Sequence, residues 1–357
     1  MIILTFLGVL AVLYAIWCFV ISRGIKKLSC SRAFSRPAVF SGQEAELIEV
    51  VRNDSPAIIP WLLIESRISP YIRLGKQENL HVGSNINFCS QFTLLPYQQI
   101  QRRHRVRFLH RGSYNLGNAS FTAGDILGLY QKQKPQQLDV PVLVYPALIP
   151  RESLPAPIAQ YLQEVSRTPQ LFQDPFLVRG IRTYQPGDPV RDIHWAATAR
   201  TGEAQVRLHD YSARTKLLVV LNSQLHDTQW HDHLSDEDAE LLEPGISLAA
   251  TACVHALGDG LAVGFAANMP LDGKSDNTLL LPSDCSGWEE TLLTAFARLK
   301  VVRTQHFPAF LKGLTLSSDT DLLVLSLYDS DGIQEALGQV RQKGHRVSFH
   351  LLEGGHP

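Results

Sequence analysis

The stretch from Arg182 to Arg200, RTYQPGDPVRDIHWAATAR, concentrates ionisable and aromatic side chains around a Pro-Gly turn. Three roles suit these residue types. Asp188 and His194 could form an acid–base pair in a hydrolase or transferase. Alternatively, Arg182, Arg191 and Arg200 could clamp a phosphate or carboxylate, as in an anion-binding sensor. In the third interpretation the arginines pair with nearby carboxylates and carbonyl groups and fix a polar corner of the fold.

The sequence favours the third interpretation, because no candidate nucleophile with an obvious base, no metal-ligand spacing and no Gly-rich phosphate loop accompanies the stretch. Pro186 and Gly187 predict a turn, and Asp188 followed by Pro189 predicts a helix N-cap. We therefore predict no catalytic residue here. Structural or interaction roles are predicted for Arg182, Tyr184, Pro186, Gly187, Asp188, Arg191, His194, Trp195 and Arg200. Replacing Asp188 by alanine is expected to cost folding cooperativity.

The first residues predict a membrane anchor. No charged side chain occurs from Ile2 to Ile21, and about 20 helical residues at about 1.5 Å each cover the ~30 Å hydrocarbon layer. No basic residue precedes this run, which argues against a cleaved signal peptide. Lys27 stands where a lipoprotein signal would need an aliphatic residue before Cys30. We therefore predict an uncleaved helix in contact with membrane lipid.

Basic residues flank this helix on one side only. By the positive-inside rule, this asymmetry places the N-terminus outside and the rest of the chain in the cytoplasm. The prediction is a single-pass protein of the inner (cytoplasmic) membrane. The basic residues that follow the helix are Arg23, Lys26, Lys27, Arg32 and Arg36.

Overall charge and cysteine usage exclude some classes of function. The 33 basic and 34 acidic residues give a formal net charge of -1, which argues against broad capture of nucleic acid. The cysteines are odd in number, scattered and without a CxxC pair, so neither a disulfide framework nor a zinc site is expected. They are Cys18, Cys30, Cys89, Cys253 and Cys285.

At 357 residues the chain is long enough for more than one domain. Short alternating runs between turn clusters predict an antiparallel β-sandwich or barrel over 36–150, with a Gln-rich loop at 131–141 and a solvated basic strand face at 101–111. From 215 to 357, buried strands alternate with helices, which predicts right-handed βαβ units and an open parallel sheet. The predicted layout is completed by a transmembrane helix at 1–22 and a connecting segment at 151–214.

Two segments resemble the domain-of-unknown-function 58 (DUF58) family. The stretch GIRTYQPGDPVRDIHWAATAR, 180–200, is similar to the family pattern R-x-Y-x-P-G-D-x-x-R-x-I-[DH]-W-x-x-x-A-R. Upstream, RGSYNLGNASFTAGDILGLY, 111–130, is similar to an R-G-x-Y-x-[LI]-G turn followed by D-x-[LF]-G-L. The resemblance implies a membrane-anchored protein with a von Willebrand factor A-like C-terminal half. It also implies association with MoxR-type AAA+ ATPases that assemble, activate or insert cofactors into envelope complexes, without enzymatic activity established for the family.

A von Willebrand factor A domain holds Mg²⁺ through a D-x-S-x-S segment after its first strand, and this chain departs from that pattern. Asn222 replaces the aspartate, and Gln224 and His226 stand where serines are expected. We predict a degenerate metal site, no bound metal and no cofactor. His226, His231 and His233 could bind Zn²⁺ or Cu²⁺ if their loop folded around the ion, but an acidic solvated loop before a helix is the favoured interpretation.

Together these features predict a membrane-anchored, non-enzymatic adaptor or chaperone-like protein. The resemblance implies a MoxR-type AAA+ ATPase as one partner, beside an unknown client protein. The alternative functions are an anion-binding sensor, or a hydrolase or transferase that uses the cluster at 182–200.

Overall fold

The computed structural model describes residues 2–75, 80–82, 87–125, 129–167, 173–211, 216–229, 234–317 and 320–356. The chain divides into two compact units. The first comprises Met1–Ala147 with Phe296–Arg298, and the second comprises Leu148–Ala295 with Leu299–Pro357. An apolar N-terminal helix, antiparallel sheets and a mixed sheet confirm the predicted multi-domain layout.

The first unit begins with a long helix, which is followed as far as Ala147 by strands and their connecting segments. The helix is α1 (Ile2–Lys26). The strands are β1 (Leu28–Phe34), β2 (Ala38–Phe40), β3 (Glu44–Asn53), β4 (Ile59–Arg67), β5 (Ile72–Leu74), β6 (Leu80–Val82), β7 (Asn87–Leu94), β8 (Gln99–Phe108), β9 (Gly112–Asn115), β10 (Asn118–Gly124), β11 (Gln131–Gln137) and β12 (Pro141–Tyr145).

These strands form three sheets around one apolar core. The sheet orders are β1-β3-β8-β5, β11-β10-β4-β7-β6 and β2-β12-β9. Buried side chains alternate with exposed ones along the strands, as in β8, where Arg103, Arg105 and Arg107 are exposed and His104, Val106 and Phe108 are buried. This pattern agrees with the solvated basic face predicted for 101–111. The pairing of β12 with β2 is parallel, which the sequence did not predict.

The Gln-rich segment predicted as a loop is a strand. β11 pairs with β10 in an antiparallel register that joins Gln131 to Gly124 and Gln137 to Asn118. It lies at the edge of its sheet, where neither face must be strongly apolar and where a proline such as Pro135 is tolerated. Polar composition alone therefore predicted the wrong element.

The second unit contains one large sheet, its helices and a separate strand pair. The helices are α2 (Ala156–Arg167), α3 (Trp195–Thr201), α4 (Asp236–Gly258), α5 (Trp288–Arg298, its last three residues grouped with the first unit), α6 (Phe307–Gly313) and α7 (Asp331–Gln342). The strands are β13 (Gln173–Thr183), β14 (Gln205–Tyr211), β15 (Lys216–Leu221), β16 (Ala262–Ala267), β17 (Thr278–Ser283), β18 (Thr320–Tyr328) and β19 (Val347–His356).

The large sheet has the order β17-β16-β15-β18-β19 and is mixed. Its four other strands run parallel to one another, but β17 pairs antiparallel with β16, so the predicted purely parallel sheet is wrong at this edge. Every residue of β16 and β18 is buried, as expected for strands covered on both faces. Helix α4 is long and apolar enough to span a membrane, but more than half of its most apolar window is buried, as in a core helix.

Candidate functional site

Residues 180–208 form a largely exposed, polar segment of the second unit, which we call the signature arm. β13 and β14 pair antiparallel, with Arg182 opposite Val206 and Thr183 opposite Gln205. Between them lie a turn, a 3₁₀ turn at Val190–Asp192 and helix α3. The arm therefore carries every signature residue predicted from the sequence.

An ion pair closes the base of the turn. Arg182 donates two hydrogen bonds of 2.7 Å, from Nη1 and Nη2 to the two carboxylate oxygens of Asp188. The backbone N–H of Gln185 also donates to Asp188 Oδ2, at 2.8 Å. The bonds from Arg182, and secondly from Gln185, hold the pKa of Asp188 below its usual value. Gly187 adopts a φ of 111°, in agreement with the predicted turn.

The predicted helix N-cap at Asp188 is wrong. The 3₁₀ turn starts after Pro189 with no side-chain cap, because the Asp188 carboxylate is already bound by Arg182 and Gln185. Helix α3 begins later, at Trp195, and its N-cap is His194, whose Nδ1 accepts from the N–H of Ala197 at 3.0 Å. The N–H of His194 in turn donates to the carbonyl of Gln205 on β14 at 2.8 Å.

These bonds engage the two groups of the postulated acid–base pair with partners other than each other. Asp188 is bound to Arg182 and Gln185, and the His194 ring is bound to helix α3. Arg182, one of the three arginines considered for anion binding, is also occupied by Asp188. Arg191 and Arg200 are exposed. The arrangement is that of a braced turn and a capped helix.

The arm places large apolar side chains in water. Trp195 and Val190 are each 68% exposed, and Ile181 and Leu208 are also exposed. Within the arm, Val206 is the only residue that the structure describes as buried. The signature residues are thus exposed or half-buried, with Tyr184 among the half-buried ones.

The degenerate metal position lies at the carboxyl ends of three neighbouring strands, β15, β16 and β18. This edge is where open α/β sheets usually bind ligands. Asn222 and Gln224 are completely buried there, whereas His226 is exposed and its Nδ1 lies 3.2 Å from Thr228 Oγ1. The structure therefore brings together two of the three residues predicted for the position. His231 and His233 lie outside the described residues.

The side-chain amides at the degenerate metal position are hydrogen-bonded to neighbouring side-chain and backbone groups. Asn222 donates from Nδ2 to Ser326 Oγ at 3.0 Å and accepts at Oδ1 from the N–H of Gln224, also at 3.0 Å. Asn268 Oδ1 accepts from the N–H of Ser223 at 2.8 Å. Gln224 Oε1 accepts from the N–H of Phe307 at 2.6 Å. We call Asn222, Gln224, Asn268 and Ser326 the amide cluster.

Side chains that commonly bind metal ions do not cluster at this position or elsewhere in the described ranges. Across the described ranges, no three His, Cys, Asp or Glu side chains are grouped so that they could hold a metal ion. The amide cluster offers neutral oxygen atoms that are already hydrogen-bonded.

Comparison with protein families finds one match. The model of a family described as "Protein of unknown function DUF58" matches residues 180–242, which include the signature arm and Asn222. This match supports the DUF58 family. No curated protein matches the chain.

Comparison with solved structures finds only weak likeness. A CARDB domain from Pyrococcus furiosus is 13% identical with a TM-score of 0.22, covering 33% of this chain and 93% of that chain. A non-cellulosomal cohesin from Archaeoglobus fulgidus is 10% identical with a TM-score of 0.22, covering 32% and 91%. A Salmonella alpha-2-macroglobulin is 16% identical with a TM-score of 0.21, covering 41% and 11%.

Sequence reasoning missed three exposed apolar residues of the signature arm: Ile181, Val190 and Leu208. The signal was present for Val190, which lies between a turn and two charged residues where burial is not expected. It was absent for Ile181 and Leu208, since an exposed strand pair cannot be distinguished from a buried one by an apolar residue alone.

Replacing Asp188 by alanine is expected to loosen the arm without unfolding the unit, which revises the expectation of lost folding cooperativity. The reason is that the pair with Arg182 lies on an exposed turn rather than in a core. Hydrogen exchange should show faster exchange of the Gln185 amide and unchanged exchange in β15 and β18. Equal exchange of Gln185 in both proteins would contradict the bracing role.

Proposed function

We propose that this protein is a membrane-anchored, non-enzymatic adaptor whose DUF58 arm binds a partner protein, a MoxR-type AAA+ ATPase by family resemblance. In this role it would present a client for assembly or maturation of protein complexes. One observation carries the proposal: Trp195 and Val190 are each 68% exposed on a segment braced by an ion pair and a helix cap. Apolar and aromatic side chains held rigidly in water suit protein recognition, in which tryptophan often dominates the binding energy.

The polar groups of the arm support binding over catalysis. Asp188 and His194 are engaged in bonds that shape the turn and the helix. Arg191 and Arg200 remain exposed beside Trp195 in the sequence and would steer an acidic partner surface toward it. The arm thus combines an apolar anchor with a positively charged rim.

The anchoring role rests on α1, whose apolar composition is also compatible with a signal sequence. The end of α1 belongs to the folded unit: Ile21 and Ile25 are completely buried in the core of the strands, and Ser22 Oγ accepts from Lys132 Nζ at 2.9 Å. Cleavage after the apolar run would remove part of that core. We therefore favour a retained anchor in the inner membrane, with both units in the cytoplasm by the positive-inside rule.

For the second unit we infer a von Willebrand factor A-like domain in which amides have replaced the metal site. The inference is supported by the buried parallel strands and by the polar residues at their carboxyl ends. Such a domain would contribute to partner binding without Mg²⁺. Titration calorimetry that finds micromolar affinity for Mg²⁺ or Mn²⁺ would overturn the metal-free role.

Trp195→Ala is expected to reduce recovery of the ATPase at least about tenfold, because hot-spot tryptophans dominate protein interfaces. The measurement is an affinity pull-down from native membranes with the full chain, with and without ATP, read by mass spectrometry. Leu281→Ala is the matched control, since Leu281 is 57% exposed but lies on β17, outside the arm. Equal recovery with Trp195→Ala would remove the arm from the interface, and no ATPase with the unmodified protein would remove the adaptor role.

A further inference from the structure

The strands of the first unit expose apolar side chains mainly at one end. Among the residues described after α1 in this unit, five large apolar side chains are exposed, and four of them follow or precede β4, β7 and β10 at the same end of that sheet. The register shows this, since Ile59 pairs with Leu94 and Trp61 pairs with Gly124. We call Ile58, Leu95, Tyr97 and Leu129 the apolar end. The fifth side chain is Tyr71.

Helix α1 is fixed to this same end. A Cβ atom on Gly24 would lie 3.0 Å from Ala57 Cβ, so the helix packs closely on the segment before β4 and a larger residue would force a small shift there. Almost three turns earlier, the Tyr14 hydroxyl donates to Asp125 Oδ2 at 3.0 Å, just after β10. The contact with the strands thus extends along α1 from Tyr14 to Gly24.

The packing of α1 against the strands brings the first unit to the bilayer when α1 is the membrane anchor. The uncharged run from Ile2 to Ile21 is about 30 Å long, close to the thickness of the hydrocarbon layer. Tyr14, whose side chain bonds to Asp125, lies about 10 Å before the end of that run. A helix that spans the bilayer with this run therefore brings the Asp125 segment and Leu129, which is 75% exposed, to the membrane surface.

Basic side chains lie next to the apolar end, at the C-terminal end of α1 and on β11. Arg23 and Lys26 lie in the last turn of α1 and Lys27 directly follows it, and none of the three has an ion-pair partner within the described part of the chain. Lys132 and Lys134 on β11 reach Ser22 Oγ and the carbonyl of Leu28. Cations at the boundary between apolar and aqueous surroundings match the phosphates of lipid headgroups.

A groove next to these cations has the mixed character of a lipid contact. It has a volume of about 200 Å³. Phe19, Val20, Pro56 and Ala57 supply apolar walls, and Arg23 and Lys27 lie on its rim. Its walls belong to α1 and to the loop before β4, so the groove continues the surface of the anchor.

We propose that the apolar end of the first unit is seated in the headgroup layer of an anionic phospholipid bilayer. Leu129 and Ile58 contact the upper acyl chains, while Arg23, Lys26 and Lys27 bind phosphate groups. The proposal rests on membrane anchoring by α1, as proposed above. It adds a second membrane contact, made by the folded strands themselves.

The test places a nitroxide label on the full-length chain in nanodiscs that contain anionic phospholipid. Leu129→Cys reports on the apolar end, Leu10→Cys on the anchor, and Gln43→Cys on the opposite end of β3 as the matched exposed control. Cys18, Cys89 and Cys285, which are accessible or partly so, are first replaced by alanine, whereas Cys30 and Cys253 are buried. Collision rates with oxygen and with a water-soluble nickel chelate give the depth of each label.

The oxygen-to-nickel ratio at Leu129 is expected to exceed that at Gln43 at least threefold and to approach that at Leu10. Exchanging the anionic lipid for a zwitterionic one should lower the ratio at Leu129 at least twofold, and an unchanged ratio would contradict headgroup recognition. A water-like ratio at Leu129 with an apolar ratio at Leu10 would overturn the inference and keep the anchor. A water-like ratio at Leu10 would overturn the anchor itself. Low collision rates with both reagents at Leu129 would show that protein, and not lipid, covers this end, and would also overturn the inference.

Discussion

Glu49→Ala is expected to destabilise the first unit by about 3–5 kcal/mol, because it leaves a buried arginine without its counter-charge. The side chains of Glu49 and Arg32 are both completely buried. Arg32 donates to Glu49 Oε1 from Nε at 2.8 Å and from Nη2 at 2.6 Å, and His104 Nε2 lies 3.4 Å from Glu49 Oε2. Arg32 also donates to Ser66 Oγ on β4, which links the two larger sheets.

The same strand provides the matched control. Glu46 pairs with Arg103 at 3.4 Å, also between β3 and β8, but both side chains are largely exposed. Exposed pairs contribute about 0–1 kcal/mol, so Glu46→Ala should cost less than about 1 kcal/mol. Denaturant unfolding monitored by hydrogen exchange in β3 and β8 separates the two variants. Similar losses in both would show that burial does not determine the strength of this pair.

Lowering the pH should protonate Glu49, break its ion pair with Arg32 and reduce the stability of the first unit. Burial alone would raise the pKa of Glu49, but the hydrogen bond from His104 and the charge of Arg32 outweigh it and lower the pKa. A lowered carboxyl pKa contributes stability that is complete above the unfolded value of about 4.3 and is lost as the pH falls through the folded pKa. The acid limb of the stability curve should therefore be flatter in Glu49→Gln than in the unmodified protein. Parallel acid limbs would contradict this assignment.

Asn222→Ala is expected to cost the second unit about 2–3 kcal/mol, because it leaves buried polar groups without partners. The N–H of Gln224 loses its acceptor and Ser326 Oγ loses a donor, in a site where Asn222 itself is completely buried. The measurement is thermal unfolding together with hydrogen exchange in β15 and β18. Asn277→Ala is the control, since Asn277 is only partly buried and its side chain donates to Gln305 at the surface and accepts from Thr304, outside the amide cluster. Equal effects would show that the amide cluster is not a structural replacement for a metal.

The sequence predicts best those features that depend on local pattern. The uncharged run of α1 and the continuous apolar run of β15 each identify their element, because length and composition suffice. The turn at Gly187 was also predictable, since proline followed by glycine has few other conformations.

Features that depend on distant partners could not be predicted in this way. From the sequence, the carboxylate of Asp188 could either cap a helix or form an ion pair with Arg182, six positions earlier. The pairing of β13 with β14 places Arg182 beside Asp188, and the ion pair forms. Likewise, Gln224 and Asn268 are far apart in the sequence, and the order of the parallel strands brings them to one edge. The exposure of the arm depends on what the rest of the chain leaves uncovered, which no local pattern encodes.

Helix α1 passes into the first unit without a linker. α1 ends at Lys26 and β1 begins at Leu28, while the N–H of Lys27 still donates to the carbonyl of Gly24. A flexible tether would let the unit rotate and would dissipate a pulling force. Because a single hydrogen-bonded residue joins the two elements here, torque or tension applied to the strands would pass directly into α1, and into the bilayer when α1 is the proposed anchor.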